Sequence, residues 1–309
     1  MENKVFGKAV VRDMINRSAE NETDRRVFLK AASVAGLGTV GAGAASVLGA
    51  SAAQAAAPSD GAVLNFALNL EYLEAEFYSY AVYGKGLPDK LTTGKGNRGG
   101  VIGGSRVKFK SPRIASIARE IARDEIDHVA FLRKALGGAK VSRPKIDLKN
   151  SFTAAAQAAG LIGPKDKFDP FADEDSFLLG AFIFEDVGVT AYKGAAPLIR
   201  NKAFLEAAAG ILAVEAYHAG IIRSQLYDKG QFKAVKAISD ARDSLDGSTN
   251  LDQGLGRALR VNLVPTDRNG LAFSRTAGQV LNIAYLNPKH VTKGGFFPSG
   301  VNGAIRRSW

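Results

Sequence analysis

Four long stretches of the chain repeat apolar residues at alternating steps of four and three, as a helix with one buried face requires. The first runs from about Gly61 to Val82, with the stripe Leu64, Leu68, Glu71, Ala75, Tyr78, Val82. The second opens at Ser111-Pro112, an N-cap followed by proline at the first helical position, and ends at Gly137-Gly138. Its stripe is Ile114, Ala118, Ile121, Glu125, His128, Leu132. The third begins near the acidic run Asp173-Glu174-Asp175, which suits the positive end of a helix dipole, and carries Leu178, Ala181, Glu185, Gly188, Tyr192. The fourth follows Asn201 and carries Phe204, Ala208, Ile211, Glu215, His218, Ile222. This pattern predicts an all-α four-helix bundle over residues 56–245. A Gly- and Lys-rich loop (84–110) and a longer connector (138–172) join its helices. Short helices are expected near Phe152–Ala159 and Gln231–Ser244. Residues 246–309, with turn signals at Asn287-Pro288 and Gly294-Gly295, read as an extended segment packed on the bundle.

Each stripe has a glutamate near the middle of an otherwise apolar face. An unpaired buried carboxylate costs several kcal/mol, so four of them on four helices ask for a shared cation. The second and fourth helices repeat one another. Glu125-Ile-Asp-His128 and Glu215-Ala-Tyr-His218 are each followed, after three residues, by Leu132-Arg133 and Ile222-Arg223. The first and third repeat differently, with Tyr78 seven residues after Glu71 and Tyr192 seven after Glu185. Residues at i and i+3 share a helix face, so each Glu-x-x-His offers a carboxylate and an imidazole to one metal ion. Glu71 and Glu185 are expected to complete and bridge the pair. The candidate ligands are therefore Glu71, Glu125, His128, Glu185, Glu215 and His218, a set that two iron or two manganese ions both accept. The competing account has the same glutamates paired with Arg133 or Arg223.

Glu74 lies on a second apolar stripe (Ala67, Leu70, Glu74, Phe77, Ala81) and competes with Glu71. Glu71 is preferred because its tyrosine mirrors that of Glu185. Glu76 shares a face with Asn65, Asn69 and Tyr83 and is expected in solvent. A metal-bound imidazole needs an acceptor on its other nitrogen. Asp124 is the first choice for that partner, with Asp186 and Asp127 behind it. Tyr78 and Tyr192 are candidates to hydrogen-bond the ligands, although core packing is the simpler expectation. His290 is expected at the surface.

Composition changes this picture in three ways. The chain has no cysteine, which excludes thiolate zinc sites and iron–sulfur clusters. Its two methionines, Met1 and Met14, both precede an export signal. In that signal Arg25-Arg26 stand before Val27-Phe28-Leu29-Lys30, an Ala/Gly run reaches about Ala50, and Ala53-Gln54-Ala55 supplies small residues for cleavage after Ala55. This is the layout of a twin-arginine signal, which routes folded proteins to the periplasm or beyond. The run is long enough to span a bilayer, but its Ala/Gly content makes a poor permanent anchor. The mature chain would then contain no sulfur, which suits a site handling oxidants. Residues 1–55 carry seven of the 41 basic and five of the 30 acidic residues, so the mature chain keeps a net charge of +9. Such a charge favours peripheral contact with anionic envelope surfaces. Nucleic acid is not an expected partner, because no base-stacking motif is present.

The segments Asn69-Leu-Glu-Tyr-Leu-Glu-Ala-Glu-Phe-Tyr78, Asp124-Glu-Ile-Asp-His128 and Phe184-Glu-Asp-Val-Gly-Val-Thr-Ala-Tyr192 resemble the ferritin-like superfamily, and more narrowly its exported, desiccation-related branch. The resemblance spans about residues 60–245, and the Gly295-Phe-Phe-Pro-Ser-Gly-Val-Asn-Gly303 tail is similar to that branch too. It implies the same six ligands and a chemistry of oxygen, peroxide or Fe(II). The rubrerythrin type is excluded by the missing cysteine. Haem of the bacterioferritin type is excluded by the missing methionine. Iron storage fits poorly with a basic chain. Two functions stay open at this point: a dimetal oxidoreductase acting on peroxide, oxygen or Fe(II) in stress protection, and a non-enzymatic envelope stress protein with a structural metal. The sequence does not decide the oligomeric state.

Overall fold

The computed structural model describes residues 57–308. Arg25-Arg26, the Ala/Gly run and the cleavage position after Ala55 lie outside the described residues. Seven α-helices carry the fold: α1 (Asp60–Tyr83), α2 (Pro112–Leu136), α3 (Asn150–Ala158), α4 (Glu174–Ala195), α5 (Lys202–Asp228), α6 (Phe232–Asp246) and α7 (Ala277–Ala284). Among the described residues, sheet is confined to two tiny pairs. β1 (Val101–Ile102) lies parallel to β2 (Ile146–Asp147), and β3 (Gly256–Arg257) lies antiparallel to β4 (Arg260–Val261).

The bundle helices start where short polar side chains satisfy their first free N–H groups. Ser59 accepts from Ala62, Ser111 from Ile114, Asp173 from Ser176, and Asn201 from Ala203 and Phe204. Pro112 occupies the first turn of α2. α1 packs along α2 and α4 along α5, and the two pairs meet through α1–α4 and α2–α5 contacts. The all-α bundle expected from the stripes is thus the architecture of the described residues.

α1 departs from its expected one-sided burial. Glu76, Asn65 and Asn69 are all buried. The reason is that the loop after α1, the connector after α2 and the C-terminal tail wrap the face assigned to solvent. Each polar group there meets a partner from those segments. Glu76 pairs with Arg143 and accepts from the Leu87 amide at 3.1 Å. Asn65 accepts from Val141 N at 2.9 Å, and Asn69 exchanges two 2.9 Å bonds with the Asn302 backbone. Phe77 on the same helix stacks at 5.5 Å on Phe177 and contacts Phe152 and Phe184, which also meet Phe296 of the tail at 5.0 Å. One aromatic cluster therefore ties α1, α3, α4 and the tail together.

The C-terminal segment is not wholly extended. It folds α7, opened by a capping box between Thr276 and Gln279, and lays it on α4 and α6. A buried set of charges fastens it. Arg275 binds Asp246 and Asp252 and donates to Thr190 Oγ1 at 2.9 Å. Arg242 joins Asp186 to Asp252, and Arg223 binds Asp186 and the carbonyls of Gln253, Gly254 and Asn262. Gly194 lets this segment approach α4, because a Cβ there would collide with the Arg275 carbonyl.

Candidate metal centre

The middle of the bundle is polar. α1 brings Glu71 and Glu74, α2 brings Glu125 and His128, α4 brings Glu185, and α5 brings Glu215 and His218, all buried. Residues four or three apart on each helix face inward together, so the stripes that fill the core above and below this layer also aim its donors at one point.

Two overlapping groups of donor atoms form. Glu71, Glu125, His128 and Glu215 make one, and Glu125, Glu185 and His218 make the other; within each, the atoms lie within 4.8 Å of one another. Nδ1 of His128 is 3.2 Å from Glu71, 3.6 Å from Glu125 and 3.7 Å from Glu215. Nδ1 of His218 is 3.2 Å from Glu125 and 3.6 Å from Glu185. The six residues singled out in the sequence thus converge. The sharing differs from expectation: Glu125, on a Glu-x-x-His helix, stands in both groups, whereas Glu71 and Glu185 each stand in one. Glu125 stands between the two imidazoles, with one oxygen toward each.

Among the described residues, Oε2 of Glu71, both oxygens of Glu125 and Glu215, Oε2 of Glu185, and Nδ1 of both histidines are buried with no hydrogen-bond partner. Orphaned donors of this kind are rare in a folded core. Arg133 and Arg223, the competing partners, are engaged elsewhere. Arg133 binds Tyr72, Lys90 O and Thr93 O, and Arg223 binds Asp186. Four carboxylates and two imidazoles with converging free lone pairs fit a pair of divalent cations in a carboxylate-rich bundle site.

Electrostatics agree. Burial, opposed by His128, holds Glu71 up at about 7, and burial, opposed by His218, holds Glu185 up at about 8. Glu215 and Glu74 are pushed well above the carboxylate range by burial and by one another's neighbours. Burial pushes Glu125 up too, but the two histidines beside it win and bring it down to about 2. Burial opposes charge on the imidazoles, yet Glu71 and Glu125 raise His128 to about 11, and Glu185 and Glu125 raise His218 to about 9. Without a metal ion, protons on the histidines are the site's counter-charge.

The surrounding contacts extend the sequence reading. Nε2 of His218 meets Oδ2 of Asp124 at 3.1 Å, the partner expected for it. Asp186 instead serves Arg223 and Arg242, and Asp127 is exposed. Tyr78 donates to Oε1 of Glu185, and Tyr192 to Oε1 of Glu71. The tyrosines therefore do more than pack, and each serves the glutamate of the opposite helix. Burial keeps both phenols protonated. Glu71, not Glu74, enters a donor group, and Glu74 points toward Gly188. Gly188 sits on the predicted stripe, but its part was not legible there: a Cβ would collide with Oε2 of Glu215 and reach within 3.4 Å of Oε1 of Glu74. His290 is exposed and belongs to neither donor group, with Nδ1 3.3 Å from Ser308 O.

Known proteins share this chain's features. A family profile described as a ferritin-like domain matches residues 59–228. A desiccation-related protein of Craterostigma plantagineum is 32% identical over 264 residues, covering 79% of this chain and 83% of that protein. A ferritin-like catalase of Nesocodon mauritianus is 28% identical over 269 residues, covering 79% and 84% respectively. No solved structure matches at a comparable level.

Proposed function

We propose that this chain, which belongs to the ferritin-like domain family, holds two redox-active metal ions, iron or manganese, among Glu71, Glu125, His128, Glu185, Glu215 and His218, and uses them to consume hydrogen peroxide in stress protection. The observation that carries the reading is the pair of donor groups joined through Glu125, with their inward atoms unpartnered. Held by these residues, two such ions would supply two-electron redox chemistry, with one peroxide reduced to two waters and a second oxidised to dioxygen. The overall change balances without an outside reductant. A ferritin-like catalase among the relatives favours peroxide over Fe(II) as substrate.

The protein's own groups have definable tasks. Tyr78 and Tyr192 fix the rotamers of Glu185 and Glu71 by donating to one oxygen of each, leaving the other free to face the centre. Asp124 fixes His218 with Nδ1 inward. The apolar residues above and below the layer keep bulk water out, which strengthens every charge interaction inside.

Export by the twin-arginine route to the periplasm belongs to the same proposal. It is supported by Arg25-Arg26 and the small residues before Ala55. A desiccation-related relative supports a second reading, in which the metal is structural and the protein protects by binding. One experiment separates the two. The purified mature protein is analysed for metal after growth with both iron and manganese, then given hydrogen peroxide while dioxygen is measured. Two ions per chain with dioxygen release are expected. Metal without any reaction with oxidant would leave the structural reading, and no metal would remove both.

A further inference from the structure

Beside the centre, on the side where α1 and α4 meet, lies a small apolar cavity. Its walls include Leu73 and Glu74 of α1, Val187 and Gly188 of α4, Ala284 of α7 and Phe296 of the tail. Glu74 is its one charged lining residue, 5% exposed, and makes no hydrogen bond among the described residues. The cavity ends at Gly188. There the missing side chain lets the carboxylate of Glu215 pack directly against α4, so that this wall of the cavity backs onto a donor residue.

We propose that this cavity is the route by which oxidant reaches the centre, and that the C-terminal segment sizes it for molecules no larger than peroxide or dioxygen. The inference rests on the dimetal reading above. Three observations carry it. First, the cavity's lining includes Glu74 and Gly188, which adjoin the donor layer. A neighbouring cavity between α1 and α4 touches the Tyr192 ring but none of the glutamates or histidines. Second, the imidazoles enter from α2 and α5, so approach between α1 and α4 does not cross them. Third, its volume is about 30 Å³. A water molecule needs roughly 10–15 Å³ on that measure, so the space holds about two heavy atoms side by side. Hydrogen peroxide and dioxygen have two. An alkyl hydroperoxide does not fit without moving α7.

The outer wall comes from residues beyond the ferritin-like match, which ends at residue 228. Val280, Ile283, Ala284 and Phe296 close the cavity from outside, and the Arg275 clasp holds them there. The tail thus has a function of its own: it restricts what the bundle can be offered.

Two measurements test this, neither of them turnover. Ala284→Val puts two more carbon atoms, as many heavy atoms as the cavity holds, in from its outer wall without touching a donor residue. Protein loaded with Fe(II) is mixed with nitric oxide, a neutral diatomic probe, and uptake is followed by absorbance. The variant should keep its metal content and melting temperature and take up nitric oxide about tenfold more slowly or worse, because packed interiors leave no alternative gap. Separately, crystals of the unmodified protein under xenon pressure should show xenon between Leu73, Val187 and Ala284, as dry apolar cavities do. Unchanged uptake by a metal-replete variant, or no xenon at this position, overturns the route while leaving the dimetal reading in place. An unmodified protein that takes up no metal overturns both.

Discussion

The phenol of Tyr192 on α4 donates its hydrogen to Oε1 of Glu71 on α1, and the converse bond runs from Tyr78 to Glu185. Each tyrosine lies seven residues after one glutamate and serves the other, so the two helices are laced by a crossed pair of bonds. Tyr192→Phe should therefore disturb the half containing Glu71 and His128, although Tyr192 shares a helix with Glu185. Tyr78→Phe should disturb the half containing Glu185 and His218. Loss of such a support typically weakens metal affinity about 10- to 100-fold. Competitive chelator titration of both variants checks this. Equal weakening of both halves by either change would mean that the crossing has no energetic content.

Glu125 belongs to both donor groups and Glu185 to one. Glu125→Gln should strip the site of both ions. Glu185→Gln should lose the ion held with His218 and retain its neighbour. Metal analysis by mass spectrometry after dialysis distinguishes them. A Glu125→Gln protein that stays fully loaded would remove Glu125 from its shared position.

Asp124→Asn should loosen His218 alone. The carboxylate that receives Nε2 of His218 is one residue before Glu125, and the equivalent position before Glu215 is Val214. The expected outcome is a loss of affinity of about tenfold or more for one ion and little for the other. Stepwise metal isotherms for the variant and for Val214→Ala provide the comparison, and matching isotherms would contradict the asymmetry.

In the ion-free protein His128 and His218 stand at about 11 and about 9 against an ordinary 6.5. Both are protonated at neutral pH. A raised folded-state value stabilises fully below 6.5, and the contribution is lost as pH rises through 9 and then 11. Glu71 and Glu185, held up at about 7 and about 8, act in the same direction, while Glu125 is ionised throughout. Ion-free protein should melt earlier as the pH climbs from about 7 to about 10. Loaded protein should change less, and loading should release protons to a weakly buffered solution. Differential scanning calorimetry across that range, with and without metal, is the check. A melting temperature of ion-free protein that rises with pH would reverse the assigned signs.

Arg275→Met leaves Asp246 and Asp252 with less compensation in the interior. Breaking a buried pair from one side costs about 3–5 kcal/mol, so the urea midpoint should fall clearly. The tail should become sensitive to protease before the bundle does, because the clasp, not the helix pairs, is what has been cut. Simultaneous cleavage throughout the chain would show that clasp and bundle unfold as one.

The helices and the donor layer were legible because both repeat with the period of a helix. Glu125-x-x-His128 and Glu215-x-x-His218 announce themselves by spacing, and Glu71 is told from Glu74 by its tyrosine. What the period could not show was contact between distant parts of the chain. Glu76 looked solvated because Arg143, its partner, lies in a connector with no regular pattern. The short helix at Ala277–Ala284 was hidden in an irregular tail too brief to display a stripe. Shared use of Glu125 depends on donors from α2 and α5 meeting in space, and the notch at Gly188 depends on the length of a side chain from another helix. Neither is written in one helix alone.

The C-terminal wall also sets an order of events at the ribosome. All six candidate donors lie between Glu71 and His218, whereas the residues that close the cavity run from Val280 to Phe296 and the backbone that secures Asn69 is that of Asn302. A nascent chain therefore has its complete set of donors outside the exit tunnel while the lid is still being made. Contacts that span so much sequence close late, because loop closure must be met before they form. On the proposed route, the bundle would be open to ions during synthesis and would narrow to diatomic traffic only when the last stretch has docked. A chain that stalls before residue 280 would be an ungated centre.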